Sequence, residues 1–217
     1  MRAKASASFT KPNHYVILKL KEGANIMILK GKNILFLGSS VTYGSAAGGV
    51  SFADTMAEIC EFNYVKEAVS GTTLADINEK SYVSRLRNIN KNNRFDLFIC
   101  QLSTNDAAHN RNIDFQQTED AIRYILSYVK ETFGCPIVFY TGTRFENKKY
   151  LDMINLLYRL KNEYDFYILD LYNSDDMNAI SVQDYKRYMA DSIHPNAVGY
   201  REWWTPKFIA FCEQLPY

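Results

Sequence analysis

Short apolar runs alternate along the chain with longer stretches in which apolar residues recur at helical spacing. Residues 34–37 (Ile-Leu-Phe-Leu) form a continuous apolar run, which is typical of a strand buried on both faces of a parallel sheet. Runs of this kind predict strands at 33–38, 64–69, 95–102, 136–140 and 166–171. Helices are predicted between and after them, at 51–61, 82–86, 114–133, 146–164, 182–189 and 197–214. The pattern therefore indicates an α/β protein.

The regular order of strand and helix also predicts how the elements connect. Right-handed crossovers between successive strands give a mainly parallel five-stranded sheet that helices cover on both faces. Residues 33–217 are assigned to this domain, since no linker divides them. The preceding residues 1–32 form an N-terminal extension, in which a weakly alternating segment (14–20) and an apolar segment (26–29) flank turn-forming residues. That arrangement predicts a hairpin or a pair of edge strands.

Composition and charge narrow the classes of partner. Hydrophobic residues make up 47% and charged residues 23% of the 217 residues, values typical of a folded globular protein, so a wholly disordered chain is excluded. The formal net charge is +1 and the chain has no long block of Lys and Arg, which argues against binding to nucleic acid or to an anionic membrane. A small neutral or mildly charged molecule is the expected partner.

The chain carries no signal for export, membrane insertion or a nucleotide cofactor. Residues 1–10 include basic side chains but lack the apolar stretch of a secretory signal, and no later segment reaches membrane-spanning length, so the expected location is the cytoplasm. Neither G-x-G-x-x-G nor G-x-x-x-x-G-K-[ST], the motifs of nucleotide-binding loops, occurs.

The four cysteines are widely spaced and form no C-x-x-C pair, which favours reduced and buried thiols over disulfides or a zinc site. They are Cys60, Cys100, Cys135 and Cys212.

Small and polar residues follow three of the predicted strands. Ser40 follows the first strand, Gly71 the second, and the segment 103–106 (Ser-Thr-Asn-Asp) the third. Ligands of open α/β sheets bind at the carboxyl ends of the strands, where these residues are expected to meet. A serine there can act as a nucleophile, and Gly71 and Asn105 can offer N–H groups to a ligand. Each also has a plainer interpretation, as a helix cap for Ser40 and Asn105 and as a turn residue for Gly71.

A base for such a serine must come from three histidines, His14, His109 and His194. His194 follows Asp191 by three residues and precedes a proline, which disfavours helical backbone at His194 and places it in a constrained loop before the last helix. The carboxylate can hold one ring nitrogen and set the tautomer, which leaves the other nitrogen free for Ser40. The alternative is a His-Asp pair that caps the last helix.

Two pairs share the D-x-x-H spacing, Asp106 with His109 and Asp191 with His194, so a metal site has to be considered. The sequence contains no H-E-x-x-H motif, no cysteine ligand cluster and no further carboxylate at informative spacing. No metal is therefore predicted. His109 is expected to line the mouth of the pocket or to face solvent.

Four separated motifs together resemble those of the SGNH, or GDSL-type, esterases and lipases. The motifs are 38–41 (Gly-Ser-Ser-Val), Gly71, 103–106 (Ser-Thr-Asn-Asp) and 191–195 (Asp-Ser-Ile-His-Pro), and their order and spacing agree with the family over about residues 33–215. The chain departs from the family pattern at Ser39, where Asp is usual, and at Ser103, where Gly is usual. Neither position performs the proton transfer, so activity is expected to survive both changes.

The resemblance implies a flavodoxin-like three-layer α/β/α fold and hydrolysis of small-molecule esters without a metal or cofactor. Ser40 would be the nucleophile, His194 the base that removes its proton, and Asp191 the residue that orients and stabilises the imidazolium. The oxyanion of the tetrahedral intermediate would be held by the backbone N–H groups of Ser40 and Gly71 and by the side chain of Asn105.

The sequence favours short acyl groups and leaves one other class of function open. Residues 44–49 (Gly-Ser-Ala-Ala-Gly-Gly) place small side chains beside the serine, which favours a shallow pocket and acyl groups such as acetyl. The alternative is a non-catalytic carbohydrate-binding module on the same fold, since a fold does not dictate function and since Ser39 and Ser103 depart from the family pattern. Some of the 16 tyrosines and 13 phenylalanines could line its sugar-binding face. The joint presence of serine, histidine and aspartate favours the enzyme.

Overall fold

A computed structural model describes residues 28–216, which contain one five-stranded sheet. Its strands, in chain order, are β1 (Asn33–Gly38), β2 (Asn63–Ala68), β3 (Leu97–Gln101), β4 (Ile137–Tyr140) and β5 (Tyr167–Leu169). They are hydrogen-bonded in the order β2-β1-β3-β4-β5, and every pairing is parallel. The predicted α/β class and parallel sheet are confirmed. Apart from Ile28 and Leu29, the predicted N-terminal hairpin lies outside the described residues.

Helices lie between the strands and after the last one. They are α1 (Ser40–Tyr43), α2 (Phe52–Cys60), α3 (Tyr82–Arg87), α4 (Phe115–Thr132), α5 (Lys148–Leu160), α6 (Asp175–Asn178), α7 (Val182–Tyr188), α8 (Ala197–Gly199) and α9 (Thr205–Cys212). A π-helical segment, Tyr200–Trp204, joins α8 to α9, so the predicted closing helix has an irregular centre. The sequence did not predict α1 and α6, because four residues are too few to show a helical period.

Helix α4 shows how the local sequence sets an element. Asp114 accepts the Gln116 N–H and forms a capping box with Gln117, which starts the helix where the sequence predicted it. The stripe expected to face inward at helical spacing is buried at Ala121, Ile122, Ile125, Leu126 and Val129, whereas Tyr128, expected in the same stripe, is only half-buried. The opposite face is polar. Among the helices of residues 28–216, none combines the length and the apolar character needed to cross a bilayer.

Two apolar clusters, one on each face of the sheet, form the core. Leu35 and Leu37 of β1 pack with α4 and α5, whereas Ile34 and Phe36 pack with α2 and α9. All four side chains are fully buried, which explains the continuous apolar run of a central parallel strand. Helices on both faces complete a three-layer α/β/α sandwich whose strand order is that of flavodoxin-like folds.

Helical spacing predicts that Leu151, Ile154, Leu157 and Leu160 face inward from α5, and one of them does not. Ile154 and Leu157 are buried as predicted, but Leu151 is 37% exposed. Tyr150 takes the inward position instead, fully buried, with its hydroxyl accepting the Gly142 N–H at 2.8 Å. The inward stripe of α5 therefore begins with an aromatic residue, which also fastens the loop after β4.

The four cysteines are free and buried. Burial raises the pKa of the Cys60 thiol to about 12 and the pKa of the Cys135 thiol to about 11. Both thiols therefore stay protonated at neutral pH and behave as small apolar side chains, in agreement with the prediction of reduced, buried cysteines.

Candidate active site

The turn from β1 into α1 holds two serines in opposite environments. A Cβ atom at Gly38 would lie 1.7 Å from the Thr42 hydroxyl oxygen, so this turn requires glycine. Ser39 is fully buried, whereas Ser40, the first residue of α1, is half-buried. The carboxyl end of β1 thus presents one hydroxyl to the protein interior and one to the surface.

Ser40, His194 and Asp191 form a continuous chain of contacts at this edge of the sheet. The Ser40 Oγ atom lies 2.8 Å from His194 Nε2, although the two residues are 154 positions apart. The other ring nitrogen, His194 Nδ1, lies 2.8 Å from Asp191 Oδ2 and 3.0 Å from Asp191 Oδ1. Because a carboxylate only accepts, Nδ1 carries a proton in this arrangement, and Nε2 is left to accept one from the serine hydroxyl.

The loop that carries His194 is built around the Asp191 carboxylate. The backbone N–H groups of Ile193 and His194 both donate to Asp191 Oδ1, at 2.7 Å each. An antiparallel bridge between Met189 and Pro195 closes the loop. Partial burial would raise the pKa of Asp191, but the two N–H groups and the imidazole outweigh it and hold the pKa below its ordinary value. The carboxylate is therefore ionised at neutral pH and already directed at the imidazole.

Gln101, the last residue of β3, holds Ser39 in place, and no sequence motif predicts this contact. Gln101 Oε1 accepts the N–H groups of Ser39 and Thr42, at 2.9 and 3.3 Å, and their hydroxyl groups, at 3.3 and 2.9 Å. Gln101 is only 1% exposed. The Thr42 hydroxyl oxygen also lies 2.7 Å from Tyr140 Oη, which extends the network to β4. These bonds fix the backbone on both sides of Ser40.

Arg85, from α3, fastens the ends of the two strands that lead to the site. Its guanidinium donates to the carbonyls of Gly38 and Glu67, at 2.8 and 2.7 Å, and to the Thr72 hydroxyl at 3.2 Å. The side chain is 8% exposed and pairs with the Glu67 carboxylate at 3.2 Å. A buried guanidinium of this kind sets the spacing between the turn after β1 and the segment after β2.

The segment after β2 and the loop after β3 meet at the same edge. Gly71 has a φ of +77°, a conformation that favours glycine. The half-buried Asn105 donates from its side-chain amide to the Thr72 carbonyl at 3.0 Å. The Ser103 hydroxyl donates to the same carbonyl at 3.4 Å and accepts the Asn105 N–H at 3.2 Å. The structure thus places Asn105 against the residue that follows Gly71, and Ser103 supports both.

Asp106 and His109, the second D-x-x-H pair, do not come together. The Asp106 carboxylate is fully buried and accepts the N–H groups of Leu74 and Ala75 at 2.8 and 2.9 Å, whereas His109 is exposed. Burial raises the pKa of Asp106 despite these hydrogen bonds. Asp106 therefore holds the segment after Gly71. Residues 28–216 contain no group of three or more His, Cys, Asp or Glu side chains that could bind a metal ion.

Several solved structures share this fold. A protein from Lactobacillus plantarum is 18% identical with a TM-score of 0.72, covering 87% of this chain and 99% of its own. A lipase/acylhydrolase from Enterococcus faecalis is 16% identical with a TM-score of 0.66, covering 84% and 95%. A carbohydrate acetylesterase family member from Sinorhizobium meliloti is 14% identical with a TM-score of 0.61, covering 84% and 98%. At these identities the likeness establishes the fold. No curated protein sequence matches the chain.

The three-layer fold defines an open α/β protein, and its polar residues lie at the carboxyl edge of the sheet, where such proteins bind ligands. The sequence profile of the GDSL-like lipase/acylhydrolase family matches residues 36–202, which is most of the chain and spans all four motifs. The chain therefore belongs to the GDSL-like lipase/acylhydrolase family, and it is a hydrolase that acts on ester bonds. The resemblance to this family that the motifs indicated is confirmed. The match includes positions 39 and 103, where the chain has serine in place of the residues usual in the family.

Proposed function

We propose that the protein is a serine esterase that cleaves its substrate through an acyl-enzyme on Ser40. The observation that carries this proposal is the unbroken chain of contacts from the Ser40 hydroxyl through the His194 imidazole to the Asp191 carboxylate. A serine hydroxyl is a weak nucleophile by itself and is activated by a base within hydrogen-bond reach. Membership of an ester-hydrolysing family supports the same chemistry.

The proposed reaction has two acyl-transfer steps. His194 Nε2 takes the Ser40 proton while Oγ attacks the ester carbonyl carbon, and the imidazolium that forms is stabilised by Asp191. When the tetrahedral intermediate collapses, the ester C–O bond breaks and His194 gives its proton to the leaving alcohol. Water then attacks the acyl-enzyme in the same way, which releases the carboxylic acid and restores Ser40.

The oxyanion of each intermediate is proposed to bind the N–H groups of Ser40 and Gly71 and the side-chain amide of Asn105. The absence of a side chain at Gly71 lets its backbone approach a ligand closely. One N–H of the Asn105 amide is used by the Thr72 carbonyl, so within the described residues the other is left for the oxyanion. Donors held in place in this way need no rearrangement as charge develops.

Short acyl groups, such as acetyl, are the proposed substrates. The segment directly after α1 forms a 3₁₀ turn, Ser45–Ala47, and its side chains are all small. Small side chains beside the nucleophile suit a shallow pocket. The shared fold with a carbohydrate acetylesterase family member makes acetylated carbohydrates a natural choice of test substrate.

The proposal is tested by turnover of p-nitrophenyl acetate, butyrate and octanoate by the wild-type protein and by Ser40→Ala. We expect kcat/KM to fall as the acyl chain lengthens, and Ser40→Ala to lose on the order of 10⁶ in kcat, as in a protease triad. Faster hydrolysis of octanoate than of acetate would contradict the short-chain proposal. Unchanged turnover by Ser40→Ala would contradict the acyl-enzyme. A folded protein that hydrolyses none of the esters would favour the carbohydrate-binding module.

A further inference from the structure

Arg111 brings a guanidinium group to a residue of the proposed oxyanion hole. Its Nη2 atom donates to the Gly71 carbonyl oxygen at 2.9 Å. A Cβ atom built on Gly71 would lie 3.7 Å from the same nitrogen, so the guanidinium borders the space that the missing side chain leaves. The side chain of Arg111 is half-buried. A positive charge therefore stands directly beside the backbone that is proposed to stabilise the oxyanion.

Arg111 differs from most arginines of residues 28–216 because it forms no ion pair with a described residue. The paired arginines are Arg85 with Glu67, Arg87 with Asp76, Arg123 with Glu119 and Glu163, Arg159 with Glu119, and Arg187 with Glu202. A half-buried guanidinium has lost part of its hydration, and an anionic partner normally offsets that loss. The guanidinium of Arg111 has five N–H groups, and within the described residues only one of them has an acceptor, the Gly71 carbonyl.

The loop that carries Arg111 is anchored to the start of α5. The Asn147 side chain donates to the Ala107 carbonyl at 3.1 Å, on one side of Arg111. On the other side, the Lys149 ammonium donates to the Ile113 carbonyl at 2.5 Å. The backbone of the loop is therefore held on both sides of Arg111, and the hydrogen bond to the Gly71 carbonyl directs the guanidinium toward the site.

We propose that Arg111 binds a carboxylate on the substrate, so that the natural ester is anionic and carries its charge close to the bond that is cleaved. This inference rests on the proposed function and names the substrate class of the same site. A guanidinium offers two parallel N–H groups that match the two oxygens of a carboxylate, a geometry that lysine cannot reproduce. The carboxylate can lie on the acyl side or on the alcohol side of the ester bond.

The test compares esters that are matched except for charge. On the acyl side, ethyl hydrogen succinate is compared with ethyl pentanoate; on the alcohol side, 4-acetoxybenzoate is compared with its methyl ester. Arg111→Gln removes the proposed contact. Arg144→Gln is the matched control, because Arg144 lies over the Tyr172 ring and likewise forms no ion pair within residues 28–216.

We expect the wild-type protein to prefer one anionic ester over its neutral partner, which also identifies the side that carries the charge. Arg111→Gln should lower kcat/KM for that ester by roughly 10- to 100-fold, the range expected for hydrogen bonds to a charged group. Arg111→Gln should also lower turnover of the neutral esters, because the guanidinium holds the Gly71 carbonyl, but by much less than it lowers turnover of the anionic ester. The Arg144→Gln protein should change by less than about twofold with every ester. An equal loss for charged and neutral esters, or no preference in the wild-type protein, would overturn the proposal.

A binding measurement separates this proposal from the proposed chemistry. Ser40→Ala protein, with and without Arg111→Gln, is titrated by calorimetry with ethyl hydrogen succinate and with 4-acetoxybenzoate. Weaker binding of either anion after Arg111→Gln supports the carboxylate site even if no ester is ever hydrolysed. Equal binding of both anions by the two proteins overturns it even if neutral esters are hydrolysed rapidly.

Discussion

Four hydrogen-bond donors of the turn after β1 converge on one oxygen atom, Oε1 of Gln101. The position of Ser40 therefore depends on a side-chain amide from the neighbouring strand. A carboxylate at position 39, which is usual in the family, would face this oxygen and repel it, whereas the Ser39 hydroxyl donates to it at 3.3 Å. Ser39 and Gln101 are thus chemically matched, which explains how the turn is kept without the usual Asp.

Gln101→Met keeps the volume of the side chain but removes the acceptor. The N–H groups of Ser39 and Thr42 would then lose their partner, and we expect the free energy of unfolding to fall by about 1–3 kcal/mol for each. Turnover of p-nitrophenyl acetate should fall through kcat more than through KM, because Ser40 is misplaced. Denaturant unfolding and steady-state kinetics measure the two effects. Gln101→Glu keeps an acceptor oxygen, so we expect it to lose less stability and less turnover than Gln101→Met. An unchanged kcat in Gln101→Met would show that the turn does not need the amide.

Asp191→Asn tests whether Asp191 sets the tautomer of His194, because the substitution changes the tautomer while it keeps the fold of the loop. Asparagine keeps an oxygen for the Ile193 N–H and the His194 N–H, but its NH₂ group would face His194 Nδ1 and require that nitrogen to accept. Nε2 would then carry the proton and could not take one from Ser40, so we expect kcat to fall by about 10⁴. Thermal unfolding should change little. Turnover near that of the wild-type protein would contradict the role assigned to Asp191.

Asn105→Ala removes one proposed oxyanion donor. Such a loss typically costs about 2.7–4 kcal/mol, so kcat should fall by roughly 10²–10³ while the fold is kept. Ser103→Gly is the matched control, because it removes only the hydroxyl that supports Asn105 and restores the residue usual in the family. We expect a much smaller loss for Ser103→Gly. Equal kinetics for the two variants would mean that the Asn105 amide does not contact the oxyanion.

The carboxylate of Asp54 joins helix α2 to the edge strand β2. It accepts from Lys66 Nζ at 2.6 Å, from the Ser51 N–H at 2.7 Å and from the Tyr64 hydroxyl at 2.8 Å. Lys66 also donates to the Gly49 carbonyl at 2.9 Å. The same cluster therefore holds the small-residue segment beside the nucleophile.

Asp54→Asn tests this cluster through the pH dependence of stability. Burial raises the pKa of Asp54, but Lys66, the Ser51 N–H and Tyr64 outweigh it, so the folded-state pKa lies below the ordinary value. The ionised carboxylate therefore stabilises the fold above the unfolded-state pKa of about 3.9, and that contribution is lost as the pH falls through the lower folded-state pKa.

We expect Asp54→Asn to lose about 1.5–3 kcal/mol of unfolding free energy at neutral pH, and the difference from the wild-type protein to shrink as the pH falls below about 4. Urea unfolding at a series of pH values measures this difference in unfolding free energy between the two proteins. Glu58→Gln, the same chemical change at an exposed position of the same helix, should have little effect at any pH. A difference that persists unchanged in acid would show that charge is not what stabilises the cluster.

The elements that the sequence predicts are those whose pattern repeats over several residues. The apolar run of β1 and the inward stripe of α4 are of this kind. Helix α1 is not, because four residues carry no period and the helix depends on contacts with distant parts of the chain. Gln101 holds it from β3, and the Tyr200 hydroxyl donates to the Val41 carbonyl at 2.8 Å from the closing helical segment. Local sequence patterns do not record such contacts.

The whole molecule brings together residues that lie far apart in sequence. The contact between Ser40 and His194 could be predicted because the carboxyl ends of parallel strands share one edge, and because a histidine three residues after an aspartate is suited to act as a base. Gln101 and Arg111 could not be predicted in the same way. The first ends an apolar strand and the second lies in a polar loop, and the roles proposed for them rest on contacts with residues far away in the sequence.

Reaction of the purified protein with a fluorophosphonate probe, mapped by mass spectrometry, tests the activation of Ser40 most directly. If His194 activates Ser40, Oγ displaces fluoride from phosphorus and the adduct is found on that residue. We expect labelling to be lost in Ser40→Ala and retained in Ser45→Ala, which removes an exposed serine of the next turn. A folded protein that stays unlabelled, or an adduct on another residue, would contradict the serine mechanism.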